Sequence, residues 1–314
     1  MEYKARYPSI KRGQVIGGGS NKLRFIDFLG HGKNGTVLRM LCVEGPLKGV
    51  MVAAKFSYDP TEPERKERFD REIAILKRLR HPHIVEIMDE GRYVDIKGDD
   101  YSFYAMEYQP RNLERLINSY PRGLPCEEVL RLCIQIASGL VCFHNEGVVH
   151  RDIKPANILF DGSNARLADF GLAKDRDEGG KLVSGISLPG KKLGPKSHIS
   201  PEQFRYWKKE SEVEPGKPSD VYQFGLVMYQ LITAFNPNVV SRWDEGMTRK
   251  PTTAFVRKLD GTLVRQLTSM VKTTMQDDCE RRPTASVVLD GLLDTYDQFD
   301  GDHRQIHGKA PGAE

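Results

Sequence analysis

In the stretch GVVHRDIKPANILF, residues 147–160, His150, Arg151, Asp152, Lys154 and Asn157 stand between two short apolar runs, Val148-Val149 and Ile158-Leu159-Phe160. Apolar runs bounded by turn residues read as buried strand, so the polar cluster is expected on a short loop held rigidly at both ends. A general acid or base, a cation and a metal-ligating amide on one such loop suit chemistry on a charged substrate. A second cluster lies in LGHGKNGTV, where Gly30, Gly32 and Gly35 follow the G-x-G-x-x-G pattern. A dinucleotide fold would continue into a helix and place an acidic residue about 20 positions on. Here a strand pattern follows and Lys55 stands at that distance, while the G-x-x-x-x-G-K-[ST] loop is absent. What remains is a glycine hairpin whose backbone N–H groups can approach a polyphosphate closely. Lys55 closes the strand pattern VAAK, where a lysine among apolar neighbours ordinarily snorkels from a strand end. The functional alternative needs a carboxylate to hold the ammonium, and Glu72 stands beside Ile73 on a predicted helix.

The elements that must position these groups follow from periodicity. Between Leu23 and Phe56 the β-branched and apolar runs TVLRMLCV (36–43) and GVMVAAKF (49–56), broken by glycines, predict a β-meander. From Pro63 to Arg80, Phe69, Ile73, Leu76 and Leu79 recur at helical spacing, which predicts one amphipathic helix. Further strands are expected at Ile84–Met88 and Tyr101–Glu107, with a turn at Gly98-Asp99. After Pro110 helical periodicity dominates. Val129, Leu132, Cys133, Ile136, Ala137, Leu140, Val141 and Phe143 form a stripe closed by Gly147 in a position suited to a C-cap. The segment 220–234 is apolar on nearly every face, as in a helix sunk in a core, with Ser219 and Asp220 read as its caps. Residues 1–22, ending in Gly17-Gly18-Gly19-Ser20, read as a flexible leader, and the end of the chain, from residue 298, reads as a flexible tail.

The bulk properties set limits. At 314 residues the chain is long for one core and suits two lobes. Its 47 basic and 43 acidic residues leave a net charge of +4, too small to argue for a nucleic-acid or membrane partner. The five cysteines, Cys42, Cys126, Cys133, Cys142 and Cys279, form no CxxC pair, and Cys133 and Cys142 sit at a core-facing spacing, as buried thiols of a reducing compartment do. No window reaches the ~18 uninterrupted apolar residues of a membrane span. A cytoplasmic location is expected.

Combined with HRDIKPAN at 150–157 and Asp169-Phe170-Gly171, these features resemble the eukaryotic-type, or Hanks-type, serine/threonine protein kinases over roughly Leu23–Leu293. GHGKNGTV resembles the glycine-rich loop, VAAK the lysine strand, HRDIKPAN the catalytic loop and Asp169-Phe170-Gly171 the metal-binding turn. Ser200-Pro201-Glu202 occupies the Ala-Pro-Glu position, and the resemblance implies an ion pair between Glu202 and Arg282. It implies an α+β, two-lobed fold: a β-rich lobe at 23–108 with one main helix, and a mostly helical lobe at 109–297. It implies ATP and Mg2+ as cofactors, with Asn157 and Asp169 on the metal and Lys55, braced by Glu72, on the α- and β-phosphates. Asp152 is implied to orient the substrate hydroxyl and take its proton, and Lys154 to neutralise the transferred phosphoryl group. Gly30, Gly32, Gly35, Val37, Ala53 and Leu159 are implied around the nucleotide, with Met106, Glu107 and Tyr108 at the adenine. His150 is implied to pack structurally. Taken singly, Asp152 reads equally well as a turn residue and Asn157 as a loop cap.

Asp-Ile-Lys-Pro around Lys154 resembles kinases with serine or threonine acceptors, so protein substrates bearing those hydroxyls are the expected partners. One departure stands out: Gly194 is followed by Pro195 where the family commonly has threonine, and Ser197 stands two positions later. From Gly179 to Pro201 there is no acidic residue, and the resemblance makes Arg151 the group that grips a phosphorylated activation segment. Ser184, Ser187 and Ser197 are therefore candidate autophosphorylation sites. The competing expectation is a pseudokinase that binds nucleotide or partners without transfer. Such proteins commonly lack one of the positions held here by Lys55, Asp152 and Asp169.

Overall fold

The computed structural model describes residues 8–32, 35–57, 63–174, 197–236 and 261–307. The chain divides into two units, one formed by residues up to Pro110 together with Ala168–Ala173, the other by Arg111–Leu167 and residues from Lys174 onward. The Asp169-Phe170-Gly171 turn, expected with the helical part of the chain, therefore belongs to the first unit. The architecture is α+β, with a sheet-rich unit and a mostly helical one, as the resemblance implies.

The first unit is a six-stranded antiparallel sheet in the order β1-β2-β3-β4-β6-β5. Its strands are β1 (Val15–Ile16), β2 (Lys22–Gly32), β3 (Gly35–Glu44), β4 (Met51–Phe56), β5 (Ile87–Val94) and β6 (Asp100–Glu107). Side-chain alternation gives the sheet one oily face, where Leu38, Met40, Cys42, Val52, Ala54, Phe56, Tyr101, Phe103 and Ala105 form one buried cluster. The residues between them, Val37, Ala53, Lys55, Tyr104 and Met106, leave by the other face. Helix α1 (Pro63–Arg78) buries Phe69 and Leu76 as the helical stripe predicts, and Leu79 just past its end is buried too, but Ile75 is buried where Ile73 was expected and Ile73 is only half-buried. The strand expected at Ile84–Met88 begins only at Ile87 and runs on to Val94, paired with β6 along this length, with Tyr93 joining the core cluster. The turn falls at Gly98 as expected.

The glycine run before Leu23 is ordered where a flexible leader was expected. Ile16 is 3 % exposed and joins the core cluster, and β1 pairs with β2 through Ile16 and Leu23. Gly18 packs its backbone on β5: Arg92 N–H donates to Gly18 O, and a Cβ on Gly18 would lie 1.8 Å from Arg92 O. Glycine is required there by close approach and by a φ of +124°, so its composition signalled contact rather than freedom. Asp89 secures the next residues, accepting from Ser20 N, Asn21 N and Asn21 Nδ2 at 2.9–3.0 Å.

In the second unit, β7 (Arg111–Asn112), β8 (Ile158–Phe160) and β9 (Ala165–Leu167) make a small sheet. The helices are α2 (Leu113–Asn118), α3 (Cys126–Asn145), α4 (Pro201–Lys208), α5 (Lys217–Thr233), α6 (Thr262–Thr274) and α7 (Ala285–His307). Helix α3 packs on α5 and α7, and α5 packs on α6. Gly147 ends α3 in a left-handed turn: its N–H donates to His144 O, and Val148 N–H donates to Phe143 O. Of the two thiols expected in the core, Cys133 is fully buried and Cys142 half-buried. Helix α7 continues to His307, past the point where a frayed tail was expected, so residues 298–307 are helical. Among the described residues no helix is long and apolar enough to cross a membrane.

Candidate active site

The sheet of the first unit positions a lysine and two carboxylates. Lys55 is 5 % exposed on the face opposite the oily cluster, and its ammonium donates to Glu72 Oε1 and Oε2 at 2.7 and 2.8 Å and to Asp169 Oδ1 at 2.8 Å. Burial alone would lower the pKa of Lys55, but the charges of Asp169 and Glu72 outweigh it and hold it well above the ordinary lysine value. Burial lifts the pKa of Glu72, against the opposing pull of Lys55. Asp169 has a left-handed φ of 61°, a conformation that costs a non-glycine residue on the order of 1–3 kcal/mol and is concentrated at functional sites.

The same face gathers the expected nucleotide residues of this unit. Val37 pairs across strands with Lys55, and Ala53 with Met106, which places a patch of apolar side chains beside the lysine. Gly30 pairs with Val37 and Gly32 with Gly35, so the glycine pattern is a β2–β3 hairpin whose tip, residues 33–34, lies outside the described residues. A Cβ on Gly35 would meet Phe56 O at 2.3 Å. Tyr108 N–H donates to Met51 O at 3.4 Å, the Tyr108 ring lies under the Arg39 guanidinium, and Glu107 is exposed. Leu159 belongs to the second unit, on β8 opposite Arg166.

The loop from His150 to Asn157, in the second unit, is fixed from beneath. Asp220, expected as a helix cap, is instead fully buried within α5, which begins earlier, at Lys217. Its carboxylate accepts from Arg151 N at 2.7 Å, His150 N at 2.8 Å and His144 Nε2 at 2.9 Å, which holds Arg151 at a left-handed φ of 66°. Ser219 likewise does not cap the helix: its hydroxyl donates to Glu202 at 2.6 Å. Gln223 Oε1 accepts from Ile153 N, and Gln203 Nε2 and Gln223 Nε2 both donate to Arg151 O. Every one of these supports is a polar side chain buried in an otherwise apolar region. Their spacing in α5, Asp220 and then Gln223 one turn on, was the available sequence signal.

Held this way, the loop groups its chemistry. Asp152 Oδ2 accepts from Lys154 Nζ at 2.8 Å and from Asn157 Nδ2 at 2.9 Å, and Asp152 O accepts a second bond from Asn157 Nδ2 at 2.9 Å. Both Asn157 bonds use its amide nitrogen, so its side-chain oxygen is not spent on Asp152. That oxygen and the Asp169 carboxylate are hard donors of the kind Mg2+ takes. His150 is fully buried, its ring 5.9 Å from Phe143, as a packing residue would be. Arg151 Nη1 pairs with Glu214 Oε1 at 2.8 Å, and Lys174 pairs with the same oxygen. Ser197 Oγ lies 2.9 Å from His198 Nδ1, and His198 Nε2 lies 2.8 Å from Gln230 Oε1. Burial pushes the His198 pKa down to about 4, aided by the charge of Lys154 and opposed by the bond to Gln230. Ser184, Ser187 and Pro195 lie outside the described residues.

Arg282 closes a bidentate pair on Glu202, Nη1 to Oε1 at 2.6 Å and Nη2 to Oε2 at 2.9 Å, with the guanidinium 4.8 Å from the Tyr222 ring centroid. Burial would raise the Glu202 pKa, yet Arg282 brings it below the ordinary value. This is the ion pair that the resemblance implies, and comparison with known proteins agrees: residues 23–291 match the model of the protein kinase domain. The chain belongs to the Hanks-type serine/threonine protein kinases. This kinase domain is 35% identical over 237 residues to serine/threonine-protein kinase A of Synechocystis sp., covering 69% of the present chain and 42% of that protein. It is 31% identical over 239 residues to the inhibitor of nuclear factor kappa-B kinase subunit alpha of Xenopus laevis, covering 73% of the chain and 29% of that protein. Probable serine/threonine-protein kinase PknB of Corynebacterium glutamicum is 33% identical over 182 residues, covering 56% of the chain and 26% of that protein. The kinase chain thus spans less than half the length of these relatives.

Proposed function

We propose that this kinase domain transfers the γ-phosphoryl group of ATP, with Mg2+, to serine or threonine hydroxyls of protein substrates. The observation that carries the reading is the catalytic loop. Asp152 is held by Asn157 and Lys154 in one hydrogen-bonded group, on a backbone fixed by a buried carboxylate. Phosphoryl transfer passes through a loose transition state, so a protein contributes mainly position and fixed charge. In this reading Asp152 accepts the proton of the substrate hydroxyl, Lys154 offsets charge on the group in transit, and Lys55 holds the nucleotide phosphates. Asn157 and Asp169 would hold Mg2+, which when bound would supply charge to offset that of the phosphates. Val37, Ala53, Met106, Glu107, Tyr108 and Leu159 would take the adenine, and the hairpin at Gly30, Gly32 and Gly35 would cover the phosphates.

The regulatory part of the reading is autophosphorylation at Ser184, Ser187 or Ser197, with Arg151 as the receiving cation. A phosphate arriving there meets a guanidinium already bonded to Glu214, so it competes with or joins that carboxylate. A reducing, cytoplasmic setting accords with five free cysteines. The test is transfer of labelled phosphate from ATP to generic protein substrates, by the native chain and by Asp152→Ala. Loss of transfer in the variant, with nucleotide binding retained, supports the reading. Equal transfer by both forms refutes it.

A further inference from the structure

Tyr104 stands on β6 directly opposite Lys55 of β4 in the antiparallel register, so the two side chains leave the same face of the sheet as neighbours. Both end on one carboxylate. Lys55 Nζ donates to both oxygens of Glu72, and the Tyr104 hydroxyl donates to Glu72 Oε1 at 2.9 Å. The Tyr104 ring also lies 5.6 Å from the ring of Phe69, which is one turn before Glu72 on α1. Tyr104 and Glu72 are each 1 % exposed. Tyr104 therefore grips α1 at two points, by its ring and by its hydroxyl. We infer that Tyr104 is a positioning residue, whose hydroxyl holds the Glu72 carboxylate in the orientation that presents the Lys55 ammonium to nucleotide phosphates.

The reason lies in how the three N–H bonds of Lys55 are spent. Two go to Glu72 and one to Asp169. To hold a phosphate the ammonium must give up at least one, and the bond surrendered is the one to the less firmly held partner. The Asp169 side chain is 34 % exposed, whereas that of Glu72 is enclosed and has Tyr104 as a second donor. Asp169 is thus the carboxylate released, which also frees it for the metal. Without the phenol, Glu72 Oε1 loses a donor where water does not replace it, so Glu72 holds the ammonium less firmly in competition with Asp169. Lys55 and Asp169 then satisfy each other, and both are withheld from the nucleotide.

The inference rests on the kinase reading for the identity of the phosphates, and its test separates the two. Tyr104→Phe keeps the ring and its contact with Phe69. Calorimetry with a non-hydrolysable ATP analogue and Mg2+ should show roughly tenfold weaker binding than the native chain, the low end for a hydrogen bond to a charged group. In a Glu72→Ala background the same substitution should change binding by less than about twofold, because its target is gone. Native-like binding by Tyr104→Phe, or an equal loss in both backgrounds, overturns the inference and leaves Tyr104 a packing residue. A native chain that binds the analogue but transfers no phosphate refutes the kinase reading while this measurement still decides the role of Tyr104. A native chain that does not bind the analogue overturns both.

Discussion

Replacing Asp220 by asparagine changes one atom and tests whether the catalytic loop is held in place by a buried charge. Oδ1 of Asp220 receives Arg151 N, and Oδ2 receives both His150 N and His144 Nε2. An asparagine offers one acceptor oxygen. Whichever way it turns, its amide nitrogen faces an N–H that was bonded, and the oxygen that remains carries no charge. Losing a hydrogen bond to a charged group costs about 1.5–3 kcal/mol, and stranding a buried donor costs about 1–3 kcal/mol. A total near 3 kcal/mol is therefore expected, a large part of the roughly 5–15 kcal/mol that holds a typical domain together. The loss is local first, because Arg151 sits at a left-handed φ that it adopts only while its N–H is held. Native-state hydrogen exchange should show the opening free energies of the His150 and Arg151 amides falling by about that amount. The Ala105 amide, in the sheet of the other unit, should be unchanged. Loop amides within about 0.5 kcal/mol of the native values would refute the reasoning, since substitutions without a structural role fall in that range.

Two further outcomes follow from other buried groups. His198 has a pKa of about 4 in the folded chain against 6.5 for the free side chain, so it stays neutral while the unfolded chain takes up a proton. Its contribution is complete above pH 6.5 and is lost as the pH falls from 6.5 to 4, roughly 3 kcal/mol over that window. Unfolding midpoints of His198→Gln should accordingly show a flatter decline across it, and a decline as steep as that of the native chain would contradict the assignment. Glu214→Ala removes the carboxylate shared by Arg151 and Lys174 and should cost about 3 kcal/mol, as breaking a buried pair does. Inorganic sulfate should raise the melting temperature of that variant more than that of the native chain, and an equal response would exclude an anion pocket between the two cations.

Local chemistry made part of this protein readable in its sequence. The spacing of Gly30, Gly32 and Gly35, the cluster from His150 to Asn157, and the Asp169-Phe170-Gly171 turn are each contiguous, so the presence of each motif is legible in the sequence even though distant side chains set the loop geometry. The helices at Pro63–Arg78 and Cys126–Asn145 were likewise marked by apolar spacing, a property of ten to twenty neighbouring residues. The glycine run misleads when taken by composition alone, because Gly18 gives the same signal whether it frees a chain or lets it pack against Arg92, 74 residues away. Asp220 resembles a cap for a similar reason, since a carboxylate near a helix start looks the same in sequence with or without distant amides to bind. The pairing of Lys55 with Glu72 could be suggested by sequence, but its third member, Tyr104, came from strand register. Glu214 meets Arg151 and Lys174 only through folding. Residue type and short-range spacing state which groups are available for chemistry, whereas the partner that fixes each group's charge and orientation is chosen by burial and by contacts far apart in the chain.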